Sequence, residues 1–242
     1  MKVIVNNEKE LSGLIAEEFI TQVNKKPNSV LGLATGSTPI GTYETLVHWC
    51  EKGDLDFFDV KTVNLDEYVG LEGTHDQSYR YFMNEHLFNK VNIQIKNTNV
   101  PCGANLDAEA ECVRYHEVIE SMGGIDLQLL GIGNNGHIGF NEPCDEFPVT
   151  THKVELTRST IEANSRLFES ADDVPRYAYT MGIGEIMTAK TVLILASGKA
   201  KAQAIKELLE GPVTPQMPAS ILKMHNNAIL IADEDALSDL DY

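Results

Sequence analysis

The chain has 242 residues, 43% of them hydrophobic and 23% charged, and carries a formal net charge of −17. That length fits one large α/β domain and is enough to bury a substantial core. No apolar run approaches the roughly 20 residues that span a bilayer. So acidic a chain also lacks the basic footprint that nucleic-acid backbones require, so neither a membrane nor a nucleic acid is an expected partner.

The opening MKVIVNNEKELS is too short and too soon polar for a signal peptide, which makes the cytoplasm the expected compartment. Cys50, Cys102, Cys112 and Cys144 form no CxxC pair, so free thiols are expected. Cys112 and His116 can share a helix face, but two ligands without further partners do not make a metal cage.

In chain order, residues 2–5 read as a short strand and residues 8–24 as an amphipathic helix, with Leu11, Ile15, Phe19 and Val23 at helical spacing. Residues 29–34, SVLGLA, read as a buried strand. The loop TGSTPIG follows, Thr35 to Gly41, and then a helix through Tyr43, Leu46 and Val47. A strand, a glycine–hydroxyl loop and a helix N-terminus offer free N–H groups and a favourable dipole to a phosphate. Thr35, Gly36, Ser37 and Thr38 are the candidates, although Thr38 before Pro39 also fits an ordinary helix cap.

Residues 60–65 form another strand, ending in Asp66-Glu67-Tyr68. If the strand persists, one carboxylate faces the site and the other faces away. Residues 75–90 read as a helix in which Tyr79 and Tyr81 pack rather than bind. A short strand or turn at 99–103 and a helix at 107–122 follow. The strand at 125–130 then delivers GIGNNGHIGFNEP, residues 131–143, in which Asn135, His137, Asn141 and Glu142 stand among four glycines. A strand ending in a flexible, polar, histidine-bearing loop is where open α/β sheets place their chemistry.

Beyond it, residues 145–160 are polar and mixed, and residues 159–169 read as a helix containing Arg166. The acidic, proline-containing segment 170–178 is read as exposed. A turn and short helix at 180–189 precede the strand TVLILA, 191–196. The junction 197–202 carries Lys199 and Lys201, read either as a solvated first turn or as phosphate ligands. A helix to Leu209 and a last strand at 228–232 complete the chain.

Alternating strands and helices predict a single α/β domain over 1–242, with a mostly parallel sheet, helices on both faces and a possible lid region around 145–180. Right-handed crossovers bring the loops at 35–41, 66–68, 131–143 and 197–202 to one rim. One group of residues suits an anion: the Thr35–Thr38 loop, Arg166 and Lys201. Another moves protons: Asp66, His137 and Glu142. Without a GxSxG elbow or a metal cage, the residues point to general acid–base chemistry on a phosphorylated small molecule.

Five stretches, LGLATGSTPIGTY, VNLDEYVGL, GIGNNGHIGFNEP, ANSR at 163–166 and SGKAKA, together resemble the glucosamine-6-phosphate deaminase family over almost the whole chain. The resemblance implies a Rossmann-like three-layer sandwich. It also implies conversion of glucosamine 6-phosphate and water to fructose 6-phosphate and ammonia in amino-sugar catabolism, without cofactor or metal. In that reading Asp66 takes the proton from C2, His137 moves a proton at the ring oxygen and Glu142 orients His137. Thr35, Gly36, Ser37, Thr38, Arg166 and Lys201 hold the phosphate.

Longer family members carry Asp where this chain has Asn135, so Asn135 is kept as an orienting member of the ring-opening group, with Glu142 supplying the charge. The longer, hexameric members bind an acetylated sugar-phosphate activator through basic residues after the NEP loop. Here those positions hold His152 and Val154, beside Asp145 and Glu146, which implies a monomer or small oligomer without that activation. The alternatives are a 6-phosphogluconolactonase, which is expected to carry Arg in place of Tyr68 and to lack the NEP, and a sugar-phosphate sensor that does not turn over.

Overall fold

The computed structural model describes residues 1–165, 168, 170 and 173–240. Seven strands form one parallel sheet: β1 (Lys2–Val5), β2 (Val30–Leu33), β3 (Lys61–Asn64), β5 (Thr98–Asn99), β6 (Leu127–Gly131), β9 (Thr191–Ala196) and β10 (Ala228–Ala232). Their order is β1-β10-β9-β6-β2-β3-β5. The inner strands VLGL and AILIA are buried at every position, as parallel strands covered on both faces must be. β1 lies at an edge and is largely exposed.

The helices around this sheet are α1 (Glu8–Lys25), α2 (Ile40–Glu51), α3 (Tyr79–Met83), α4 (Ala108–Ser121), α5 (Arg158–Asn164), α6 (Ile183–Met187) and α7 (Ala202–Glu210). The α/β class and the mostly parallel sheet agree with the expectation. From β2 the chain builds outward to β3 and β5, and from β6 it builds the other way to β9 and β10. The order therefore reverses between β2 and β6, and the loops leaving those two strands splay apart into a crevice at their carboxyl ends. At the opposite ends, the buried Asp126 carboxylate holds Lys26 at 2.6 Å, Lys190 at 2.7 Å and the Val30 N–H at 2.8 Å, tying β2, β6 and β9 together below the crevice.

Three local readings differ from the sequence expectation. Residues 75–90 are not one long helix: α3 covers five residues and a π-turn, Asn84–Phe88, completes it. Thr38 does not cap α2, because Pro39 already adopts helical φ and ψ and takes the cap position itself. The chain after Leu65 leaves the main sheet. β4 (Asp66–Tyr68) pairs antiparallel with β8 (Tyr177–Thr180), and β8 with β7 (His152–Glu155), forming a second, three-stranded sheet. Two hydrogen bonds hinge this departure, Leu65 N–H to Leu33 O at 3.1 Å and Met181 N–H to Leu65 O at 2.7 Å.

Candidate active site

The crevice is a cavity of about 560 Å³. It is lined by groups from both sheets, among them Thr35, Asp66, Tyr79, Asn135, His137, Glu142, Thr160 and Lys201.

Asp66 and Glu67 obey strand alternation. Asp66 faces the cavity, 7% exposed, while Glu67 turns inward, 1% exposed. Glu67 accepts the N–H groups of Tyr68, Tyr79 and Arg80, each at 2.9 Å, and so stitches the loop after β4 onto the strand. Burial pushes its carboxyl up to about 7 against those three bonds and the Arg80 charge. Asp66 has no such support. Burial, with the Glu67 charge beside it, pushes its carboxyl up to about 8. A desolvated carboxylate aimed into a cavity, with no hydrogen bond from the described residues to hold its charge, is a proton acceptor poised near neutral pH.

Across from it lies the histidine loop. Gly133 N–H donates to His137 O at 2.9 Å and Gly136 N–H to Gly133 O at 3.0 Å, which closes the turn. Gly133 has to be glycine, because a Cβ there would run into the imidazole of His137. His137 Nδ1 lies 3.1 Å from Glu142 Oε1, an ion-pair distance at which the ring N–H is not aimed squarely at the oxygen. The Asn135 amide donates to the other carboxylate oxygen, Glu142 Oε2, at 2.5 Å, and Asn135 Oδ1 accepts the His137 N–H at 3.2 Å. Burial raises the Glu142 carboxyl, but His137 and the Asn135 amide outweigh it and hold the group below its ordinary value, so it is ionised.

Asn141 ties this loop to the second sheet. Its amide donates to Ile138 O and to Met181 O, both at 2.9 Å, while Phe140 N–H donates to Thr180 Oγ1 at 3.1 Å. A Cβ on Gly139 would stand 2.9 Å from Thr180 Oγ1 and 3.6 Å from Asp66 Oδ2, so a side chain at Gly139 would crowd the space beside Asp66.

On the anion side, Thr35 and the half-buried Lys201 reach the cavity wall. Burial lowers the Lys201 pKa, and an anion set against its ammonium would raise it again. Gly36, Ser37 and Thr38 are exposed beside the mouth, with Gly36 at φ 97° turning the chain into α2. Asp233 fixes the Lys201 junction by accepting from Ser197 Oγ at 2.6 Å and from Gly198 N–H at 3.0 Å. Lys199 is exposed and does not line the cavity. Arg166 lies outside the described residues. Among those described, no group of His, Cys, Asp and Glu is arranged to hold a metal ion.

Tyr79 and Thr160 are among the lining residues that the sequence reading leaves out of the site. Tyr79 does more than pack: its ring lies parallel to Phe140 at 6.2 Å, its hydroxyl donates to Tyr68 at 3.2 Å, and it faces the cavity. Thr160 arrives on α5, three residues ahead of the ANSR stretch and outside any of the motifs read from sequence.

A switch-point crevice that holds a buried carboxylate opposite a histidine–carboxylate pair belongs to an α/β protein suited to general acid–base chemistry on a small molecule. Residues 6–231 match the family model described as glucosamine-6-phosphate isomerases/6-phosphogluconolactonase, and the chain belongs to that family. A glucosamine-6-phosphate deaminase of Lachnoclostridium phytofermentans is 58% identical, with 96% of this chain and 98% of the relative covered. One from Clostridium perfringens strain 13 is 53% identical, with 97% of each covered. A monomeric glucosamine-6-phosphate deaminase of known structure superposes with a TM-score of 0.95 at 44% identity, covering 98% of this chain and 99% of that one. A 6-phosphogluconolactonase from Thermotoga maritima shares the fold, with a TM-score of 0.75 at 21% identity, covering 96% and 98% of the two chains.

Proposed function

We propose that this chain converts glucosamine 6-phosphate and water into fructose 6-phosphate and ammonia. Identity above 50% over nearly the full length of named deaminases supports the reaction. The observation that carries the residue assignment is the unsupported, buried Asp66 carboxylate sharing one cavity with the Asn135–Glu142–His137 unit.

In this reading Lys201, Thr35 and the Gly36–Ser37–Thr38 turn, with Arg166, hold the 6-phosphate. Binding energy from that non-reacting end places C1 and C2 against the proton-moving groups. His137 carries the proton from the C1 hydroxyl to the ring oxygen, which breaks the C1–O5 bond and leaves the open-chain aldehyde. Glu142 stabilises the imidazolium formed in passing, and Asn135 holds Glu142. Asp66 then takes the C2 proton. The electron pair moves to C1–C2, and the former aldehyde oxygen is protonated to give an enolamine. Proton return to C1 leaves an imine at C2. Water adds there and ammonia departs, which yields the ketose.

The second sheet and α5 bring Thr160 to the cavity, which supports the region around 145–180 as the cover over bound substrate. His152 and Val154 in β7, at the positions where longer relatives are expected to be basic, support a monomer or small oligomer without an acetylated-sugar activator. Tyr68 contacts Tyr79 rather than presenting a guanidinium, which does not favour the lactonase reading. The test is ammonia release from glucosamine 6-phosphate, run beside hydrolysis of 6-phosphogluconolactone. The first activity alone supports the proposal, and the second alone refutes it.

A further inference from the structure

The histidine loop has little regular structure of its own, yet it has to hold an imidazole and a carboxylate in a fixed relation. Its support comes from a stretch that carries no motif. The turn at residues 214–220, beyond α7, is closed on itself by the fully buried Ser220. That hydroxyl accepts the Thr214 N–H at 2.9 Å and donates to Thr214 O at 3.0 Å, while Met217 N–H donates to Thr214 O at 3.0 Å.

This closed turn grips the histidine loop at two places. At the first, Ala219 N–H donates to Gly136 O at 2.9 Å. At the second, Cys144 N–H donates to Pro215 O at 3.2 Å and the Gln216 amide donates to Cys144 O at 2.7 Å. Gly136 immediately precedes His137, and Cys144 follows Glu142 by two residues, so the grips bracket the pair. Between them lies Met217, 4% exposed, with its thioether sulfur filling the space that a Cβ on Gly136 would occupy. Gly136 sits at φ 81°, so the thioether packs against a backbone conformation that only glycine adopts readily. None of Thr214, Pro215, Gln216 and Met217 lines the cavity.

We infer that the 214–220 turn is a positioning clamp for the ring-opening pair, with Met217 as its wedge and Gln216 as its second grip. The inference rests on the reading of His137 and Glu142 given above. The physical ground is that a shift of the order of 1 Å in a reacting group can cost about 100-fold in rate. The phosphate end is held by other loops and does not feel the clamp. Met217 and Gln216 are therefore positioning residues that act through His137.

The test compares M217A, M217L and Q216A with the parent. M217A is expected to lower kcat about tenfold while KM stays within about twofold, the signature of a lost transition-state arrangement. M217L, close to Met in volume, is expected to recover kcat to within about threefold. Q216A, at an exposed side chain, is expected to lower kcat by about threefold with Tm unchanged. Histidine ring NMR gives a readout that does not depend on turnover: the His137 signals should shift or broaden in M217A and return in M217L. If the parent releases no ammonia, the functional reading fails, and the NMR comparison still decides the clamp. Unchanged kcat and unchanged His137 signals in folded M217A and Q216A would overturn it. So would kcat and KM falling and rising together in step with lost Tm.

Discussion

The Asn135 amide donates to Glu142 Oε2 at 2.5 Å, while the imidazole of His137 stands 3.1 Å from the other oxygen of the same carboxylate. The side chain of Asn135 thus acts on the acid, and it reaches the histidine only through the backbone N–H of His137. Against burial, His137 and then this amide favour the ionised form of Glu142, and the amide does so without adding a second charge.

Replacing Asn135 with Asp exchanges a donor for an acceptor at hydrogen-bonding distance from an ionised carboxylate. Two acids that close share a proton, so one pKa of the pair rises. N135D is expected to move the acid limb of the kcat/KM profile upward by about one pH unit. A profile superimposable on the parent's would count against the coupling.

Glu142→Gln removes the charge that stabilises an imidazolium at His137 and keeps the shape. Ring opening should slow, lowering kcat about 100-fold with KM little changed, within the range for lost acid–base assistance. If E142Q turned over at the parent rate, the division of labour between Asn135 and Glu142 would be wrong.

Much of this site was legible in the sequence, for reasons that can be stated. Asp66 and Glu67 open β4, and period-two alternation predicts that one acid faces the cavity and the other is turned away, while the family resemblance picks Asp66. His137 and Glu142 lie within one glycine loop, so their proximity is local. Tyr79 was hidden because its approach to the cavity depends on Glu67 bonding the N–H groups of Tyr79 and Arg80, an interaction across twelve and thirteen residues. The second sheet was hidden as well: β7 and β8 are four residues each, and the pairing of β8 with β4 is long-range. The 214–220 turn offered no signal, since its grip on the histidine loop is mostly through backbone groups.

The raised Asp66 carboxyl couples stability to pH. Its proton is bound more tightly in the folded chain than in the unfolded one. Its contribution is therefore fully present below the ordinary carboxylate range and is lost as pH rises through about 8. D66N removes this dependence. The Tm advantage of D66N over the parent should grow between pH 5 and pH 9, reaching at least about 3 °C for a chain of this size. An advantage that is constant across pH would show that Asp66 is not desolvated in solution.

Lys201 and Thr35 are the described anion-side groups that line the cavity, and Ser37 and Thr38 are exposed. K201A should raise KM by about 30-fold or more, T35A should raise it less, and kcat should change modestly in both, as loss of uniform binding requires. Inorganic phosphate should compete with substrate for the parent and lose that effect in K201A.

Substrate saturation should be hyperbolic, and N-acetylglucosamine 6-phosphate should leave it unchanged, because His152 and Val154 offer no cluster of fixed positive charge for a second phosphate. Sigmoidal curves that become hyperbolic on adding that compound would refute this, as would a size-exclusion mass of a hexamer.

Removal of the C2 proton by Asp66, in a step separate from ring opening by His137, is what the site geometry requires most directly. The most direct measurement is the label pattern of fructose 6-phosphate formed in heavy water, read by NMR at C1. The parent enzyme should deliver hydrogen to C1 with measurable solvent deuterium as ammonia is released. D66N should form no product above background, about 1,000-fold below the parent, while still binding the sugar phosphate. D66N that produced C1-labelled fructose 6-phosphate at the parent rate would contradict the account.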